Sequence, residues 1–355
     1  MTHRNWTTTL VLAVAALIVT AVSTPVWALE DFEFTETKTF EVGDAPEIDI
    51  ESVAGDVSYT ATGGTQATVD IIIVIRARNE DEAGKIRKEL QIKVEGKPGL
   101  LEASVKQRRD FSQWLEEFFG KSRMVSVSFH THGPKGASGR LSSVSGNAEA
   151  SGITGAMELS TVSGDVKAED LGGRLQANSV SGSIVADNCG PARVETVSGD
   201  IAISRCGGSL KAQSVSGSVR ASGVLEGADI STISGDVSLQ AVKGDVATTT
   251  TSGQISIAQE TGGFDLHSIS GDIIARASDA TGRLIAETVS GEVKVYVQPS
   301  RVGDVKLSSS SGDIHVEPGL RVEHHSRNQL TGRLGNGETT LDVSTASGDI
   351  LLGEL

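Results

Sequence analysis

The sequence predicts an all-β chain: a single-chain parallel β-solenoid (β-helix) with ~18-residue coils of two short strands, plus a small α+β N-terminal insertion. Three observations carry that expectation. A serine–glycine phrase recurs at nearly constant spacing. Apolar and polar residues alternate on both sides of each recurring glycine. And the 355 residues hold 41 glycines against few aromatics (8 Phe, 3 Trp, 2 Tyr), which supplies turns but little material for a large conventional core.

The phrase begins at Ser143 and reads SVSGN, TVSGD, SVSGS, TVSGD, SVSGS, TISGD, TTSGQ, SISGD, TVSGE and SSSGD. Its glycines are Gly146, Gly164, Gly182, Gly199, Gly217, Gly235, Gly253, Gly271, Gly291 and Gly312, with steps of 17 to 21 residues. The next copy, at Gly348, lies 36 residues on and is expected to follow a degenerate coil. Seven and five residues before the glycine stand apolar groups such as Met157 and Leu159, and two and four after it stand Val166 and Ala168. A period of two means half-buried strands. Ten coils at ~4.8 Å each give a rod of roughly 48 Å. The apolar residue two before the glycine (Val162, Val180, Ile233) breaks the alternation, so a bend is expected there. Either it or the preceding Thr/Ser faces inward.

Upstream of the repeat the elements follow in order. Residues 1–28 read as a secretory signal peptide, with Arg4, an apolar run from Leu10 to Val22, and a small-x-small site at Val26-Trp27-Ala28. That run is too short for a transmembrane helix, and no later segment approaches ~20 apolar residues, so the chain is expected not to be transmembrane. Residues 29–140 form a strand-rich capping region with two short helices. Within it, 46–64 repeat the coil template through Ile48, Ile50, Ser52, Gly55, Asp56, Val57 and Tyr59. An insertion then runs to about 140. Its first helix is capped by Asn79 with Glu82 three residues on, and its apolar residues are Ala83, Ile86 and Leu90. Strands are expected near 69–75, 91–95, 100–106 and 124–130, and 134–140 as a linker. Residues 141–355 are the β-solenoid repeat domain.

With this layout the chain resembles the bacterial putative adhesins of β-strand-repeat type, a domain of unknown function. The shared features are the export signal, the strand-rich opening and the repeated Thr-Val-Ser-Gly-Asp phrase, and the resemblance covers residues 46–355. It implies the solenoid and an adhesin-like role.

Few residues suggest chemistry. The Asp after the repeat glycine (Asp165, Asp200, Asp236, Asp272, Asp313, Asp349) could form a Ca²⁺ ladder, but acids alternate with Ser183, Ser218 and Gln254, and a solvated turn column is the better expectation. Cys189 and Cys206 are the only cysteines, at the same position of consecutive coils. In-register stacking places their Cα atoms ~5 Å apart, within reach of a disulfide. The alternative is a reduced pair. In residues 110–120, Phe111, Trp114, Leu115, Phe118 and Phe119 share one face of a predicted second helix. It is either a cap on the open solenoid end or an element docking on a membrane surface or partner. His130 with His132 and His324 with His325 are expected to be solvated side chains. No GxSxG and no HExxH occurs, and no catalytic, cofactor or metal site is expected.

Charge narrows the partners. The chain has 31 Lys+Arg against 46 Asp+Glu, a net −15, so nucleic acid is not an expected partner. The expectation is an exported, non-enzymatic surface-binding or envelope scaffolding protein, periplasmic or at the cell surface. Its partner would be an envelope or surface component, protein or glycan. The alternative is a β-helix carbohydrate-active enzyme acting on envelope polysaccharide. Against that stands the scarcity of stacking platforms: residues 141–355 hold only Phe264 and Tyr296 as aromatics.

Overall fold

The computed structural model describes residues 29–106, 125–317, 321–326 and 328–355. The all-β class is observed, with one helix, Glu80–Glu89, among the described residues. Each repeat is a rung of two strands around its glycine, as in Met157–Ser163 and Val166–Leu171 around Gly164. The strands before the glycines pair in parallel, rung on rung, to form one face. Met157 stands opposite Leu175, and Leu175 opposite Ala192. The strands after the glycines form the second face in the same way, Val166 opposite Ile184 and Ile184 opposite Ile201.

The open question of orientation resolves in favour of the hydroxyl. Thr161, Ser179, Thr196, Ser214 and Thr232 point inward and are buried, whereas Val162 and Val180 are each 44% exposed. The strand keeps its alternation through the hydroxyl residue, and the chain bends over the next two, both of which face outward. Inward placement lets the hydroxyl donate to the glycine carbonyl of the preceding rung: Thr161 to Gly146 at 2.8 Å, Thr196 to Gly182 at 3.4 Å. In four consecutive mid-stack rungs, at Ser214, Thr232, Thr250 and Ser268, the hydroxyl finds no partner. The same carbonyl explains the glycine. A Cβ at Gly253, where φ is +146°, would lie 2.2 Å from the Gly235 oxygen.

From the Gly164 rung to the Gly235 rung the second strand has its own device. Asp170, Asn188, Arg205 and Ala241, all six residues after their glycine, adopt left-handed backbone with φ near +50°. This irregularity leaves two successive residues outside and swings the next side chain (Leu171, Cys189, Cys206, Val242) into the core.

The N-terminal region closes one end. Its coil, Glu47–Ala54 with Val57–Thr62, stacks directly on the Gly146 rung. Beyond it Leu100–Lys106 extends the first face and Gln91–Lys97 pairs antiparallel to that strand. On the second face Val125–Pro134, Gln66–Ala77 and Glu30–Glu41 follow outward, the last two antiparallel. The helix joins the two faces, buries Ala83 and Ile86, and is capped by Asn79, which accepts the Glu82 N–H at 2.9 Å. Residues 134–140 are not a linker. Pro134 ends one strand, Ser138 starts the next, Ala137 is fully buried, and the pairing of Ser138–Ser145 with Glu47–Ala54 leaves no slack.

The C-terminal end departs from the expected order. Among the described residues no degenerate coil separates Gly312 from Gly348. Instead the last strands slot between the Gly291 and Gly312 rungs: Ser347 pairs with both Ser290 and Ser311, and Ile350 with both Val293 and Ile314. The intervening chain forms an antiparallel hairpin, Arg321–Ser326 with Gln329–Arg333, laid along Val302–Ser311.

Candidate functional site

The outward columns of the first face define the surface that can do chemistry. Six residues before each glycine the side chains point out in register: Gln176, Arg193, Lys211, Asp229, Ala247, Asp265 and Ile285 across seven rungs. With the half-turns beside them they line a groove of about 950 Å³ that runs along the stack, roughly 29 Å at ~4.8 Å per rung. Arg174, Arg193 and Lys211 stand towards the N-terminal end of the groove. Glu226, Asp229, Asp245 and Asp265 fill its middle, and Arg283 lies beyond. Most of the acids already have partners. Asp229 pairs with Lys211, Asp245 accepts the Gly263 N–H at 2.8 Å, and Asp265 pairs with His267. Arg174 is exposed and makes no ion pair among the described residues. The groove therefore offers mixed charge along an extended line. Neither histidine nor cysteine is among its described lining residues.

A second concavity, about 530 Å³, opens towards the C-terminal end and is rich in hydroxyls, among them Thr249, Thr251, Ser308 and Ser310. His267 stands at its wall between two carboxylates, Nε2 2.7 Å from Asp265 and Nδ1 3.3 Å from Glu287. Sequence reading missed this trio. Register could have found it, because His267 and Glu287 each lie four residues before their glycines and so must be neighbours.

The Asp column turns out to be structural. Asp165, Asp200 and Asp236 each accept a backbone N–H from the next rung, at Ser183 (2.8 Å), Ser218 (2.8 Å) and Gln254 (2.9 Å). Acids and neutral residues alternate as expected in the body of the stack. At the C-terminal end they do not. The inserted strand puts Asp272, Glu292, Asp349 and Asp313 on four successive rungs, with Asp349 accepting the Asp313 N–H. No group of three or more possible metal ligands occurs among the described residues.

Cys189 and Cys206 are direct register partners, 4% and 0% exposed, and stand as free thiols. Cys206 Sγ donates to the Gly190 carbonyl at 3.2 Å. Hydrogen bonding between the two, assisted by burial, pushes the Cys189 thiol well up. The same bond, against burial, draws Cys206 down to about 7. His130 Nδ1 contacts Ser58 Oγ at 2.8 Å on the N-terminal cap. His324 lies in the C-terminal hairpin. The aromatic set Phe111, Trp114, Leu115, Phe118 and Phe119 lies outside the described residues, as does the signal-like segment 1–28.

One further column follows from the inward hydroxyls. Val144, Val162, Val180, Val197, Val215, Ile233, Ile269 and Val289 are all exposed, by 41 to 55%. No helix among the described residues is long and apolar enough to cross a membrane.

No curated protein matches the chain. Among solved structures it is similar to a putative cell adhesion protein from Clostridium sporogenes (10% identity, 92% of this chain and 100% of that chain, TM-score 0.20). It is also similar to a putative adhesin from Bacteroides fragilis (14% identity, 91% and 97%, TM-score 0.25). A third is a putative lipid binding protein from Parabacteroides distasonis (15% identity, 89% and 96%, TM-score 0.30). At such TM-scores the likeness carries no argument about this chain. The sequence profile of the Toastrack DUF4097 domain, by contrast, matches residues 120–226 and 208–352, well over half of the length. The chain belongs to the Toastrack DUF4097 family.

Proposed function

We propose that this protein is an exported, non-enzymatic, adhesin-like binding or scaffolding module of the cell envelope that takes an extended polymer along its first face. The observation that carries the reading is the groove spanning seven rungs from Gln176 to Ile285, open along its length and lined by a basic stretch, an acidic stretch and a further arginine. Such a line suits a repetitive, uncharged or zwitterionic chain. A bare polyanion is disfavoured, because residues 141–355 carry 26 Asp+Glu against 15 Lys+Arg. Export rests on the composition of residues 1–28. In an oxidising compartment Cys189 and Cys206 close a disulfide, since register partners on parallel strands lie within bridging distance.

The test is co-sedimentation with purified cell-wall sacculi and with insoluble neutral glycans. The expected result is binding by the native chain that weakens at least about tenfold in an Arg174→Ala/Arg193→Ala/Lys211→Ala variant. Absence of binding to every polymer would refute the groove. Breakdown of the polymer, abolished by changes within 314–340, would establish the carbohydrate-active alternative instead.

A further inference from the structure

The exposed Val/Ile column is the largest feature that the groove does not use. Its eight side chains stack in register from the Gly146 rung to the Gly291 rung, interrupted once by Thr251. At ~4.8 Å per rung the line is about 38 Å long. Side chains of this size and exposure present on the order of 600 Å² of apolar surface, at the top of what a monomer ordinarily leaves uncovered.

What lies beside the column selects its occupant. On one side runs an unbroken column of serines, Ser145 to Ser290, one residue before each glycine. On the other, the column four before the glycine holds only Glu195, His267 and Glu287 as ionisable groups between Ser142 and Glu287. The next column out, by contrast, includes Arg140, Glu158, Arg193, Lys211, Asp229 and Asp265. A chain of net charge −15 thus keeps one long strip almost free of charge. An anionic bilayer is not what this strip recognises: among the described residues no aromatic residue and no row of Lys or Arg accompanies it. A partner that matches it along its whole length must repeat at the same ~4.8 Å pitch. A second copy of the chain has that pitch, the same apolar line and the same neutral margins. A two-fold axis through the strip would set the two columns against each other. With the serine columns included, the area approaches the ~800 Å² per partner that specific interfaces bury.

We propose that the Val/Ile strip is a homodimer interface, pairing two rods side by side along their first faces. Sedimentation velocity on the full chain, followed from low to high micromolar protein, reads this directly. The expected result is a dimer whose dissociation constant rises by about a hundredfold or more in a Val180→Lys/Val197→Lys/Val215→Lys variant. Circular dichroism and melting of the variant should match the native protein, because all three side chains already face water. A native chain that stays monomeric throughout would overturn the proposal, and so would a variant that dimerises as tightly as the native chain. Flotation with phosphatidylcholine vesicles supplies the third arm. Native protein that floats, with a variant that does not, would assign the strip to lipid and overturn the pairing.

Discussion

The body of the stack and its C-terminal end are built from the same phrase and obey different rules. From Gly146 to Gly291, chain order and spatial order coincide. Beyond Gly291 they part, and the last strands enter between two rungs made earlier. The difference shows what the repeat specifies. Each phrase supplies an inward hydroxyl, a glycine that tolerates the neighbouring carbonyl, and a polar residue that can bracket the next rung. It says that a rung stacks on a rung and leaves open which one. In the body each step of 17 to 20 residues is used up by one coil and arrives at the adjacent level. The 21 residues from Gly291 to Gly312 instead cross two levels, and the 36 from Gly312 to Gly348 carry the hairpin and return the chain to the level left between.

Deleting residues 339–355 is the strongest way to break the comparison. In an ordinary stack, losing the last coil frays one rung. Here it removes the strands that cover Val293, Val295, Val305 and Leu307, a loss expected to exceed that of any single substitution, above ~5 kcal/mol. Limited proteolysis should then cut throughout 298–333 while the rungs from Gly164 to Gly253 stay protected. Cleavage confined to the new terminus would show that the inserted strand is an ornament.

Within the body, Gly253→Ala is expected to cost about 3 kcal/mol or more in denaturant unfolding, because strained backbone and a carbonyl 2.2 Å from the new Cβ act together. A loss below about 1 kcal/mol would mean that neighbouring rungs slide apart easily. The cysteine pair gives an effect of similar size that depends on redox state. Protein purified without reductant should expose no free thiol on denaturation, and reduction should lower its stability by about 3 kcal/mol. A Cys189→Ser/Cys206→Ser variant should ignore reductant. Two titratable thiols in the oxidised preparation would rule the bridge out.

The smallest expected effect is the finest. Thr161→Val removes a 2.8 Å bond to Gly146 and should cost about 1 kcal/mol. Thr232→Val removes a hydroxyl that has no partner and should be neutral or stabilising. Equal costs at the two sites, measured by the same unfolding assay, would erase the distinction between the two stretches of the stack.

Legibility followed periodicity. The rungs, their inward apolar pairs, the Asn79 cap and the alignment of Cys189 with Cys206 could all be read from spacing, since each depends on residues one period apart or less. The strand order after Gly291 could not, because every copy of the phrase is an equally good neighbour for every other. For the same reason the run of Asp272, Glu292, Asp349 and Asp313 was hidden behind a sequence in which acids alternate. The left-handed residues at Asp170, Asn188, Arg205 and Ala241 escaped too: Asp and Asn hint at such backbone, but Arg and Ala do not. The groove was half legible. Its charged column follows from register, whereas its depth depends on the half-turns, which vary from rung to rung.

The late insertion also sets an order in time. The space between the Gly291 and Gly312 rungs cannot be filled until residues 339–354 arrive, after the chain of both flanking rungs has been made. Rungs nearer the N-terminus can zip up one after another as chain emerges, each closing a short loop. The far end must wait with two levels held apart. At this end the last step of stacking is therefore the entry of a later strand into a gap that the earlier chain has kept open.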